Sequence, residues 1–76
     1  MALTRLASVE SITADGQVIF YVVTNEKVFL QWENSLGDWI TMRNFDRKES
    51  FALSMETGVN WRFKFFDTDS YIEYFA

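Results

Sequence analysis

Val28-Phe29-Leu30-Gln31-Trp32-Glu33-Asn34-Ser35-Leu36-Gly37-Asp38-Trp39-Ile40-Thr41-Met42 is the stretch whose reading decides the fold. Val28, Leu30 and Trp32 alternate with Phe29 and Gln31. Side chains of an extended strand point alternately to its two sides, so the segment predicts a strand with one apolar and one mixed face. The polar run at 34–38 predicts a loop, and residues 39–42 a second, short strand.

The same period of two extends in both directions. Asp15-Gly16 is a turn, because glycine accepts a positive φ at no steric cost, and it feeds the β-branched and aromatic run at 18–23. A polar turn at Asn25-Glu26-Lys27 follows. Residues 43–49 read as a charged connection. Next, Phe51, Leu53 and Met55 alternate with Ser50, Ala52 and Ser54, Thr57-Gly58 turns the chain, and Trp61, Phe63 and Phe65 alternate with Asn60, Arg62 and Lys64. The acidic turn Asp67-Thr68-Asp69-Ser70 leads into an aromatic strand at 71–75. Residues 6–13 are assigned to a first strand, although Leu3, Leu6, Val9 and Ile12 recur every third residue and would also line a short helix. About seven short strands result, the pattern of an all-β antiparallel sandwich in a single domain over 1–76. An aromatic strand at the chain end is expected to be a sheet edge, and pairing of that edge with a second copy makes a homodimer an expectation.

Composition narrows the function. A chain of 76 residues with 49% hydrophobic content and 18% aromatics suits one small core. It contains no Cys and no His, so thiol and imidazole chemistry are excluded, along with the commonest zinc and copper ligands. No cofactor is expected. The net charge of −4 argues against a nucleic-acid partner, whose phosphates call for Lys and Arg. No apolar run reaches the roughly 18 residues of a membrane helix, and Met1 to Arg5 lacks the apolar core of a leader, so no membrane role is expected and a cytoplasmic location is slightly favoured.

The order of segments carries a resemblance. A V-x-L strand (Val28-Phe29-Leu30), an L-G-x-W turn (Leu36-Gly37-Asp38-Trp39), a Y-K-F-type strand (Phe63-Lys64-Phe65) and a later aromatic together resemble the starch-binding and glycogen-binding domains. These are early-set immunoglobulin-like β-sandwiches of the kind found in the AMP-activated kinase β subunit and at the N-termini of isoamylases. The resemblance spans residues 18–74 and implies non-catalytic binding of an α-glucan oligosaccharide. It implies that Trp39 stacks on one glucose, Lys64 reaches hydroxyls, and Tyr71 stacks on the neighbouring glucose, since Tyr71 follows Lys64 by the interval seen in the glycogen-binding domain. Tyr74 competes for the third role, and Asp38 or Asn60 would add a hydroxyl contact. Trp32 stands where the family often has glycine, and Thr57-Gly58-Val59 replaces an expected aromatic.

Each of these residues also has a purely structural reading. Trp39 would serve as a core residue at a strand start, Lys64 as a solvated outward side chain, and the Arg62-Lys64 pair as protection of a sheet edge. Trp61 reads as core, and Trp32 is divided between core and surface. Tyr71 and Tyr74, three apart, would face opposite sides of a straight strand, so at most one lines a given site. The acidic turn at 67–70 lacks the glycine and later glutamate of a calcium loop and reads as an ordinary turn. The small domain offers no cleft for a pair of glycosidase carboxylates, so no enzyme activity is expected. The reading from a different class is a protein-interaction or assembly module whose aromatics form an interface.

Overall fold

The computed structural model describes residues 3–24, 26–67 and 69–75. Seven strands form: β1 (Leu3–Leu6), β2 (Gly16–Val23), β3 (Val28–Glu33), β4 (Trp39–Phe45), β5 (Glu49–Met55), β6 (Trp61–Lys64) and β7 (Tyr71–Phe75). All paired strands are antiparallel, and they make a four-stranded sheet, β1-β7-β2-β5, packed on a three-stranded sheet, β4-β3-β6. The expected all-β sandwich of seven strands is what the chain adopts.

Alternation builds the core. Phe20 and Val22 of β2 and Ile72 of β7 point inward from one sheet, Val28 and Leu30 of β3 and Phe63 of β6 from the other, and all six are fully buried. Phe20 touches Phe63 across the sandwich at a ring separation of 5.2 Å and Phe51 within its own sheet at 5.6 Å, while Phe51 stacks on Phe45 at 5.0 Å. Rings this close add about 0.5–1.5 kcal/mol per pair beyond the area they bury. Trp61 is core, as expected, and its indole N–H has no partner among the described residues. Trp32 is half-buried and packs against the core.

The N-terminal segment differs from the expected strand at 6–13. Strand β1 ends at Leu6, and the apolar period of three beyond it suits neither sheet face. Residues 7–10 turn sharply, with Glu10 N–H donating to the Ala7 carbonyl and Val9 held at φ 58°. The chain then runs along the outer edge of β6. Ser8 Oγ donates to the Phe65 carbonyl at 2.7 Å and accepts from Phe65 N–H, Val9 N–H donates to the Phe63 carbonyl, and Ile12 and Trp61 exchange backbone bonds of 2.8 and 2.9 Å. Residues 8–12 thereby cover an edge that β6 would otherwise expose.

Two further boundaries move. Strand β4 continues to Phe45, and the connection expected at 43–49 shrinks to 46–48. A β-bulge is the reason: Gln31 pairs with Thr41 but Leu30 with Arg43, so Met42 has no partner in the ladder and Phe45 is brought round into the core. The last strand is not an edge. β7 pairs with β1 on one side and β2 on the other, which removes the edge on which the homodimer expectation rested. In an immunoglobulin constant domain the fourth strand flanks the fifth and the seventh flanks the sixth. Here β4 pairs with β3, and β7 lies between β1 and β2.

The turns joining the sheets are tied by a buried hydroxyl pair. Thr24 Oγ1 and Ser70 Oγ lie 2.7 Å apart, linking the connection after β2 to the one before β7. Thr24 Oγ1 also lies 2.6 Å from the Glu26 carbonyl, to which it donates, and accepts from Glu26 N–H. Of the sequence-assigned turns here, Asn25 and Thr68 lie outside the described residues.

Candidate functional site

The inward set Val28, Leu30 and Trp32 leaves Phe29, Gln31 and Glu33 on the outer side of β3, the central strand of the three-stranded sheet. Register then fixes their neighbours. Glu33 lies opposite Trp39, Gln31 between Thr41 and Arg62, and Phe29 between Asn44 and Lys64. Asn60, one residue before β6, completes the first row through a 3.1 Å bond from Nδ2 to Glu33 Oε1. The outer face therefore carries three rows: Asn60-Glu33-Trp39, Arg62-Gln31-Thr41 and Lys64-Phe29-Asn44. Rows follow one another at about 7 Å, since residues two apart along a strand share a face.

The middle row is locked by donor and acceptor chemistry. Arginine can only donate, so the Gln31 amide must turn its oxygen to Arg62, whose Nε–H reaches it at 2.7 Å. The amide nitrogen then faces Thr41 and donates to its Oγ1 at 3.1 Å. Gln31 is buried, with both ends of its side chain engaged. So held, the Arg62 guanidinium lies 4.2 Å from the centroid of the Trp39 ring, a cation–π contact between outer strands across β3. Lys64 Nζ stands 5.6 Å from the exposed Phe66 ring.

Trp39 owes its position to the preceding turn. Asn34 Oδ1 accepts from the backbone N–H groups of Leu36 and Asp38 at 2.9 and 3.0 Å, and Asn34 N–H donates to the Asp38 carbonyl at 2.9 Å. Gly37 takes φ 86°, a conformation that suits glycine. The L-G-x-W segment is thus a side-chain-braced loop, with Asp38 exposed beside Trp39 and Leu36 84% exposed at the tip.

Of the six residues singled out from the sequence, the three-stranded sheet gathers Trp39, Lys64 and Asn60 on one face, with Asp38 at its margin. It does not gather the two tyrosines. Tyr71 belongs to β7 in the other sheet, on the side opposite to inward Ile72, with the Arg5 guanidinium 4.0 Å from its ring centroid. Tyr74 turns inward and packs against Phe20 at 5.7 Å. Their opposite orientations are those expected from a separation of three.

Gln31, Arg62, Thr41, Phe29, Glu33 and Asn44 are the members of the face that sequence reading did not select. The signal was present in the mixed side of the β3 alternation, but which strands flank β3 is not a local property. Two concavities among the described residues lie elsewhere, one over Leu3, Tyr21 and Phe75, the other between Arg5, Phe65 and Tyr71. The turn at Asp67 is closed by its own carboxylate, which accepts from Asp69 N–H at 3.0 Å and lies 3.3 Å from Ser70 Oγ, whose proton goes to Thr24 Oγ1.

No family model, no curated protein and no solved structure matches this chain.

Proposed function

We propose that the outer face of the three-stranded sheet binds an α-glucan-like oligosaccharide without catalysing a reaction on it, as a short relative of the starch-binding and glycogen-binding sandwiches. The observation that carries this reading is the Trp39 ring flanked by a fixed array of hydrogen-bonding side chains on one face of the sheet. Pyranose C–H faces pack on an indole, and sugar hydroxyls need donors and acceptors at set positions. Arg62, Lys64 and Asn60 supply donors there, Glu33 and Asp38 acceptors. Phe29, in the row of Lys64, takes the second aromatic place in preference to Tyr71. A shallow platform of this size corresponds to millimolar to micromolar dissociation constants, about −4 to −8 kcal/mol.

Titration of maltoheptaose into isotopically labelled protein, followed through backbone and indole N–H signals, tests the reading. Saturable shifts centred on Trp39, Arg62 and Lys64 support it, and unchanged spectra at high sugar reject it.

A second reading has its own observation. Leu3, Ile19, Tyr21 and Phe75 share the outer side of the four-stranded sheet; Leu3, Ile19 and Phe75 are exposed, and Phe75 meets Tyr21 edge-on at 6.1 Å. An apolar strip of this kind favours a protein-interaction module. Sedimentation showing a two-chain mass, together with a maltoheptaose titration without effect, would favour it over sugar binding.

A further inference from the structure

Arg62 has a property that a platform for neutral sugar does not require. The chain has four arginines and 11 acidic residues. Arg5, Arg43 and Arg47 are each paired with a carboxylate, Glu73, Glu49 and Asp46 in turn, whereas Arg62 has no carboxylate partner among the described residues. Its one anchored donor is Nε–H, given to Gln31. The two terminal nitrogens carry four further N–H groups in a planar fork, and none of them has a partner among the described residues. Lys64, two residues along the same side of β6, is likewise without an ion pair among them.

Protection of a bare strand edge does not account for this pair of cations. One side of β6 is paired with β3, and the other is covered by residues 8–12. Glu33, in the neighbouring row, accepts from Asn60, and neither it nor Asp38 makes an ion pair among the described residues. Two cations are left side by side on an acidic protein, one of them clamped by a buried amide and placed against an aromatic ring.

We infer that this face selects an anionic sugar: a saccharide bearing a carboxylate or a phosphate ester, its oxyanion on the Arg62 fork with Lys64 beside it, and its ring against the side of Trp39 that Arg62 leaves uncovered. The inference rests on the saccharide-binding reading above and names the class of saccharide. The chemistry is that of the guanidinium, whose parallel N–H groups match two oxygens of a carboxylate or phosphate. Gln31 acts as a positioning residue, since it fixes the direction of the fork without reaching the ligand.

Three probes that differ only at one sugar carbon test this: maltohexaose, maltohexaose with a terminal glucose 6-phosphate, and maltohexaose with that carbon oxidised to a carboxylate. Each is titrated by calorimetry and NMR at 20 mM and 500 mM NaCl. Binding of either charged probe at least tenfold tighter than the neutral one at low salt, with the advantage shrinking at high salt, supports the inference; the order of phosphate and carboxylate identifies the preferred anion. In Arg62→Met the ratio of charged to neutral affinity falls toward one, with the amide spectrum confirming the fold. Equal affinity for all three probes overturns the inference and leaves glucan binding standing. If none of the three probes binds, both are overturned. A charge preference that survives in Arg62→Met but disappears in Lys64→Met also overturns the assignment to Arg62.

Discussion

The guanidinium of Arg62 lies 4.2 Å from the ring of Trp39, although the two residues belong to opposite outer strands of the three-stranded sheet. Neither neighbours the other in sequence or in register. The contact exists because Gln31, on the strand between them, holds the arginine at one end and Thr41 at the other. An indole ring and a set of guanidinium donors are thereby placed on one strand triplet.

Trp39→Ala is expected to weaken maltoheptaose binding at least tenfold, since loss of the ring removes about 1.5 kcal/mol or more of contact. The fold should persist, because Trp39 lies outside the buried core. Matching amide spectra of the two proteins without sugar, and NMR titration with it, check both parts. Tyr71→Ala is expected to leave the titration unchanged.

Gln31→Leu tests the clamp. It removes an amide that satisfies Arg62 and Thr41 while filling much of the same buried space, and a stability loss of about 1–2 kcal/mol is expected from the broken hydrogen bonds. The sharper readout is the Arg62 Nε–H signal, which should broaden and lose its protection from solvent exchange. An unaltered signal would mean that stacking on Trp39 alone holds the guanidinium.

Thr24 and Ser70 should behave as a coupled pair. Thr24→Val or Ser70→Ala leaves one buried hydroxyl with a contact missing and is expected to cost about 1–3 kcal/mol, whereas the double change should cost less than the sum of the two. Urea denaturation of the four proteins gives the coupling energy directly.

Val9→Gly is expected to stabilise the protein. Valine at φ 58° carries the clash of a β-branched side chain in the left-handed region, worth roughly 1–2 kcal/mol, against which glycine costs about 0.5–1 kcal/mol in chain entropy. Because the side chain is exposed, little packing is lost. A rise in Tm of a few degrees is the expected result, and a fall would mean that valine packs usefully in solution.

Phe20→Ala should come close to unfolding the domain. Phe20 contacts Phe51, Phe63 and Tyr74, and large-to-small changes at buried aromatics cost about 3–5 kcal/mol, comparable to the whole stability expected of a chain this size. Circular dichroism with urea titration measures the loss.

What the sequence by itself determined is what alternation determines. Period two separated Val28, Leu30 and Trp32 from Phe29 and Gln31, marked the inward faces of β5 and β6, and made the class and number of strands legible. The local motif around Leu36-Gly37-Asp38-Trp39 placed a turn before Trp39, and parity alone set Tyr71 and Tyr74 on opposite sides of one strand.

Tertiary structure decided the rest, because pairing partners and register arise from contacts far apart in the chain. The bulge at Met42, which lengthens β4, depends on β3. The insertion of β7 between β1 and β2, which denies it an edge and carries Tyr71 away from Lys64, depends on backbone groups some 50–70 residues distant. The alignment of Arg62, Gln31 and Thr41 into one hydrogen-bonded row is of the same kind. Each of the three residues is an ordinary polar position on its own strand, and only the register that sets them side by side joins them.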